Sequence, residues 1–296
     1  MKVTMGEHKL DLPGQYFDTM IDSNDIYGDA EPMRAQMEEQ GYLLFRGVLN
    51  KDTVMNVRQQ MMEVLSEEGL LDENYPAIDG VAKDPAKGGF RGGSNRLTEV
   101  PAFVDLVRGG EVIEFFECFL GGEVRPFDYR WLRIVQPGKF TAMHYDVVYM
   151  GRGTKNLYTA WIPLGDVPIE QGALAVLEGS HRFERIRETY GQMDVDRDNF
   201  QGSFSTDPVE IVNRHGGQWK TTFYNAGDLL VFGMFTMHGS LTNLTNRFRL
   251  SSDTRYQLAA DPVDERWIGE NPKSHYAWGK GPAPTPTAEL RKEWGV

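Results

Sequence analysis

The spacing of apolar residues changes character near residue 123. Upstream it is helical: residues 29–41 set Met33 and Met37 four apart and stop at Gly41. Tyr42-Leu43-Leu44-Phe45 has no polar interruption and predicts a short buried strand. Asn50 or Asp52 caps a second predicted helix that runs to residue 67, with Val54, Val57, Met61 and Val64 on one stripe. Residues 72–100 are rich in glycine, proline and charge and predict a loop excursion. Helical texture returns over 102–120, broken at Gly109-Gly110 and ended by Gly121-Gly122.

From Glu123 onward the runs are short, β-rich and separated by turn residues: 130–135, 142–150, 157–164, 174–177, 229–232, 236–241 and 247–257. Helices first and then closely spaced strands predict a mainly β fold with flanking helices, a sandwich or squashed barrel. The expected organisation is a single domain over 1–296. It comprises an N-terminal helical region and loop (1–122), a strand core (123–260) with a polar insertion (181–222) able to act as a lid, and a tail (261–296). The tail carries Pro282, Pro284 and Pro286 and is expected to lie extended on the surface.

Composition narrows the class. The 296 residues are 40% hydrophobic and 11% aromatic, which suits a packed globule. No run approaches the roughly 18 apolar residues that span a bilayer, and the first residues lack the apolar core of a secretory signal. The single cysteine, Cys118, excludes an intrachain disulfide and suits a reducing, cytoplasmic setting. A net charge of −12 argues against nucleic acid as a partner. Yet Arg125, Arg130, Arg133, Lys139, Arg152 and Lys155 crowd around the residues that carry the candidate chemistry.

Those residues begin with His144-Tyr145-Asp146. On a strand, residues two apart share a face, so His144 and Asp146 enter one cavity while Tyr145 points away. His238, in the run 235–240, supplies a third donor from another strand. Two imidazoles and one carboxylate form the facial set that holds Fe(II) and leaves positions open for 2-oxoglutarate and O2. The bland alternative is a strand histidine satisfied by its neighbouring aspartate. Arg249, eleven residues after His238, has no metal role; with Ser251 at the same parity and Ser240 two residues after His238, it offers a carboxylate fork.

The run 157–167 (LYTAWIPLGDV), then 171–182 (QGALAVLEGSHR), and His238-Gly239-Ser240 with the arginine eleven residues after the histidine resemble the phytanoyl-CoA dioxygenase family over about residues 40–260. The resemblance implies a double-stranded β-helix (jelly roll, cupin-like) with iron and 2-oxoglutarate at its open end. By position, His144, Asp146 and His238 match the family's iron ligands and catalytic centre. Arg249 and Ser240 match its residues for the distal carboxylate, and Trp161 matches the aromatic lining that pocket. Ser251 rests on strand parity alone.

The expected function is therefore an Fe(II)- and 2-oxoglutarate-dependent dioxygenase that hydroxylates or otherwise oxidises a small-molecule metabolite, releasing succinate and CO2. Halogenases of this fold leave the carboxylate position to chloride, so Asp146 favours hydroxylation or a related oxidation (desaturation, ring closure) over halogenation. Two competing readings are a non-catalytic metal-binding jelly-roll sensor and a metal hydrolase on the same ligands. Tyr129, Arg130, Arg133, Tyr149, Arg152, Lys155 and Asn156 are candidates to line the mouth and attract an anionic substrate group. The Gly88, Gly89, Gly92 and Gly93 cluster with Lys83, Lys87 and Arg91 is a further candidate rim. His181 reads as structural, and His8, His215 and His275 as ordinary surface residues.

Overall fold

The computed structural model describes residues 1–84 and 95–296. The chain opens with a hairpin, β1 (Lys2–Met5) and β2 (His8–Asp11), followed by β3 (Phe17–Thr19). Next come α1 (Ala30–Gln40), β4 (Tyr42–Phe45), α2 (Lys51–Glu67), α3 (Asn95–Thr98), α4 (Pro101–Arg108) and α5 (Gly110–Leu120). The Asn50 side chain caps α2 by accepting from Thr53 N at 3.0 Å. Gly41 ends α1 at φ 84°, a left-handed turn that glycine adopts freely.

The second half contains β5 (Val124–Pro126), β6 (Leu132–Val135), α6 (Val147–Met150), β7 (Leu157–Pro163) and β8 (Leu174–Leu177). It continues through α7 (Glu184–Glu188), α8 (Pro208–His215), β9 (Trp219–Thr221), β10 (Leu229–Gly233) and β11 (His238–Ser240). β12 (Arg249–Leu258) and α9 (Thr287–Trp294) complete it. Among the described residues, a six-stranded sheet runs β4-β10-β7-β12-β5 with β6 also on β12, and a four-stranded sheet runs β11-β8-β9-β3. The result is a jelly roll with helices packed outside.

Period-2 alternation explains how the large sheet buries both faces. Leu44, Trp161, Leu230 and Phe232 pack with Leu174, Val176 and Trp219 of the smaller sheet and with Met237, just before β11. Their neighbours Leu43, Phe45, Ala160, Ile162, Leu229 and Val231 face Val57, Met61, Phe115 and Phe119 of the helices. Uninterrupted apolar runs such as 229–232 are thus strands covered on both sides.

The structure departs from the expected elements in four places. The run 142–150 is not a strand: Met143 and His144 make isolated bridges, and the chain then turns into α6. The helix lies between the cap positions Asp146 and Gly151, so tertiary packing overrides the β preference of Val147 and Val148. The N-terminal region adds three strands, because short half-exposed strands give little periodic signal. The insertion contains α7 and α8, and its end supplies β9 to the smaller sheet. The tail closes with α9 rather than remaining extended. Lys87, Arg91 and the 88–93 glycines lie outside the described residues, within which no helix is long and apolar enough to cross a membrane.

Candidate metal centre and its cavity

β11 and the segment before α6 meet edge to edge. His144 N donates to His238 O at 3.0 Å, and His238 N donates back to His144 O at 3.1 Å. This reciprocal pair sets the imidazole centroids 4.3 Å apart. Gly239 permits the approach, since a Cβ there would lie 2.8 Å from Thr141 O. His144 Nδ1 is 2.8 Å from Ala142 O and His238 Nδ1 is 2.9 Å from Thr236 O. A carbonyl accepts only from a protonated nitrogen, so both Nε2 atoms present a lone pair.

Those Nε2 atoms lie 3.7 and 3.8 Å from Asp146 Oδ1. Among the described residues, these three side chains form the single group of His, Cys, Asp and Glu with metal-ligand spacing. Asp146 faces the imidazoles from the start of a helical turn, while Tyr145 is buried in the core and donates to Ser180 O at 2.7 Å. The carboxylate is held from behind. Thr159 Oγ1 donates to Oδ2 at 2.7 Å, and Arg255 Nη2 reaches Oδ1 and Oδ2 at 3.0 and 2.9 Å. Thr159 and Arg255 are cross-strand partners in β7 and β12, so the sheet register delivers both donors together.

Burial, helped by the facing His238, pushes His144 down to about 3, and burial likewise lowers His238. Burial opposes the charge of Asp146, but Arg255, His238, His144 and Thr159 outweigh it and hold the carboxyl well below its usual range. Two neutral nitrogens and one anionic oxygen are a donor set ready for a divalent ion without proton loss. Acid should therefore destabilise the metal-free protein. The unfolded chain protonates its histidines near 6.5, whereas folded His144 resists to about 3, so its contribution is present above pH 6.5 and lost as pH falls through that window. Well inside the window the loss is about 1.4 kcal/mol per pH unit for such a group. Urea unfolding of metal-free protein at pH 7 and pH 5 measures it, and His144→Gln should flatten the difference.

The inner face of β12 continues the polar lining: Arg249, Ser251, Asp253 and Arg255 alternate along it, all buried. Arg249 Cζ sits 5.7 Å from the Trp161 ring centroid and Nη1 donates to Ser251 Oγ. Among the described residues its Nε has no partner, nor does Trp161 Nε1, and no carboxylate lies within 4.0 Å of the guanidinium. Burial pushes this group down to about 10, with Asp253 opposing. A buried cation with an orphaned N–H fits a carboxylate ligand. Ser240 is fixed beside His238, its Oγ accepting from Thr141 N at 2.8 Å.

A cavity of about 480 Å³ opens onto His144 and Asp146. Of the residues expected at its mouth, Tyr129, Arg130, Arg133 and Tyr149 line it. Arg152, Lys155 and Asn156 do not, because α6 and Gly151 turn the chain away. Arg152 grips Asp194 through two bonds of 2.7 and 3.0 Å, Lys155 caps Gly151 O, and Asn156 is exposed.

Sequence reasoning missed four further lining residues: Trp131, Trp267, His275 and Trp278. His275 is no ordinary surface residue, since Asp196 of the insertion accepts from its Nδ1 at 2.9 Å. Asp196 also accepts from Ala277 N and Trp278 N, each at 2.8 Å, and from Arg266 at 2.6 Å, pinning the tail over the cavity. Arg255 and Asp253 were missed too, although they repeat the parity of Arg249 and Ser251. His181, by contrast, packs on Gly41 with Nε2 2.7 Å from Glu38 O, away from the cavity.

Comparison with known proteins gives three findings. The model of the phytanoyl-CoA dioxygenase family matches residues 37–251. Two curated relatives are 1-deoxypentalenic acid 11-beta-hydroxylases. That of Streptomyces arenae is 27% identical, over 82% of this chain and 87% of its own; that of Streptomyces exfoliatus is 24% identical, over 81% and 85%. The crystal structure of EctD from S. alaskensis with 2-oxoglutarate and 5-hydroxyectoine shares the fold, with a TM-score of 0.58 at 18% identity over 90% of this chain and 91% of that one.

Proposed function

The chain is an oxygenase belonging to the phytanoyl-CoA dioxygenase family, and on that premise we propose that it uses Fe(II) and 2-oxoglutarate to hydroxylate a small molecule. The observation that carries the reading is the pairing of two features: two Nε2 lone pairs facing Asp146 Oδ1, and, on the same face of β12 as the Arg255 that grips Asp146, the buried guanidinium of Arg249 without a counterion among the described residues. A metal-binding sensor or a metal hydrolase would use the first feature and leave the second without purpose.

In this assignment His144, Asp146 and His238 hold the iron. Arg249, supported by Ser251 and Ser240 and walled by Trp161, takes the distal carboxylate of 2-oxoglutarate. When bound, iron and 2-oxoglutarate activate O2, yielding succinate, CO2 and an oxidised substrate. The protein's own residues prepare that chemistry. Thr159 and Arg255 fix the carboxylate of Asp146, and the Nδ1 bonds to Ala142 O and Thr236 O fix both imidazole planes. Trp267, His275 and Trp278 of the tail shield the cavity from bulk water. Asp146 occupies the position that a halide would need, which argues against halogenation, and the relatives are named hydroxylases, which favours hydroxylation.

The test is anaerobic addition of Fe(II) and then 2-oxoglutarate. A weak visible charge-transfer band is expected, followed on aeration by succinate formation that increases with the right member of a metabolite library. Protein that binds iron yet gives no band and no succinate would sink the assignment.

A further inference from the structure

Deepening that reading, we infer that the substrate is a rigid, ring-bearing monocarboxylate whose carboxylate is held by Arg133 and whose ring lies against the aromatic wall formed with the tail. Two independent observations carry this. The first is the state of the arginines. Arg130 spends its guanidinium on the protein, donating to Thr98 O at 2.9 Å, to Asp128 O at 3.3 Å and to Glu99. Arg249 and Arg255 are sealed beneath the site with side chains about 1% exposed, whereas 35% of the Arg133 side chain is accessible, in the wall of the cavity. Only its Nε is used, donating to Asp253 Oδ2 at 2.9 Å, so among the described residues Arg133 is the cavity arginine whose two terminal nitrogens lack a protein acceptor. Those nitrogens form the edge of a planar fork, which pairs a carboxylate through two parallel bonds.

The second observation is the wall. Ring contacts run without a gap from the mouth to the metal ligands. Tyr129 meets Trp131 at 4.5 Å, Trp131 meets Trp267 at 4.8 Å, and Trp267 meets His275 at 4.8 Å. His275 meets Trp278 at 5.0 Å, Trp278 meets Tyr149 at 5.5 Å, and Tyr149 meets His144 at 5.4 Å. All are tilted or edge-on, so each ring braces the next and the surface is set before a ligand arrives. A preformed aromatic wall rewards a rigid apolar framework and gives little to a flexible polar chain. With the carboxylate on Arg133, which shares Asp253 with Arg255, the framework sits beside His144 and Asp146, where oxidation occurs in the proposed function.

The experiment uses the full chain with Fe(II) and saturating 2-oxoglutarate under nitrogen. Calorimetric titration compares adamantane-1-carboxylate, adamantane-1-carboxamide and acetate. The expected result is binding of the acid at least tenfold tighter than the amide, with no detectable acetate binding. Arg133→Gln should bring the acid to the level of the amide, leaving amide binding and the charge-transfer band unchanged. Equal binding of acid and amide, no binding of either cage compound, or an unchanged preference in Arg133→Gln each overturns the inference. So does loss of the band in Arg133→Gln, which would assign this arginine to 2-oxoglutarate. The band in unmodified protein reports separately on the cofactor assignment, so the two readings fail distinguishably.

Discussion

Asp146→Ala is expected to lose metal binding, turnover and much of its folding stability together, and a second substitution should separate the first two from the third. Removing the carboxylate takes away the one anionic donor opposite His144 and His238. Losing metal-borne stabilisation of several kcal/mol lowers turnover on the order of a thousandfold or more. The same change strands Arg255, which is buried and grips both oxygens of Asp146. Breaking a buried pair from one side costs about 3–5 kcal/mol. Arg255 keeps its stacking on Trp131 at 4.4 Å and its contact with Asp253, so the lower end of that range applies. Adding Arg255→Met removes the stranded charge at similar volume. The double variant should recover most of the lost stability in urea titrations while still failing to bind Fe(II) in anaerobic equilibrium dialysis. If Asp146→Ala alone kept its melting temperature, the Arg255 contact would be shown to be energetically idle.

Arg249→Met should act in the opposite sense on stability and strongly on co-substrate. Among the described residues the buried guanidinium has an unpaired Nε and no carboxylate within 4.0 Å, so Ser251, Trp161 and the more distant Asp253 offset only part of its desolvation until an anion arrives. Replacing such a group by an apolar side chain of similar volume is neutral or stabilising. Losing one charge-assisted bidentate pair costs about 2–4 kcal/mol of ligand binding, roughly a thirty- to thousandfold rise in the KM for 2-oxoglutarate. Arg249→Lys should recover only part of it, because an ammonium cannot fork. Steady-state succinate formation against 2-oxoglutarate concentration, with thermal melts of the same samples, tests both halves. A variant with unchanged KM would remove Arg249 from the co-substrate site.

How far the chain could be read follows from which contacts are periodic. The inward set on β12 alternates strictly, so Arg249 and Ser251 announce a lined face, and the same rule extended by four residues reaches Asp253 and Arg255. The pairing of His144 with Asp146 came out on one face for a reason that strand parity did not supply: the chain is extended only to a bridge at His144 and is already helical at Asp146. Arg130 and Arg133 look equivalent in sequence. Only the fold turns one onto Thr98, Asp128 and Glu99 and leaves the other with its terminal nitrogens unspent in the cavity wall.

By itself, the sequence determined the chemistry on offer: which donors exist, their spacing within a strand, and the alternation that aims them, because side-chain direction along extended backbone is a covalent property. The tertiary structure decided which of those groups meet. The contact between Asp146 and Arg255 closes 109 residues of chain, and that between Asp196 and His275 closes 79. Neither contact has a local periodic signature. Such contacts depend on sheet register and on where a polar tail finds buried partners, and both are settled only when the whole core packs.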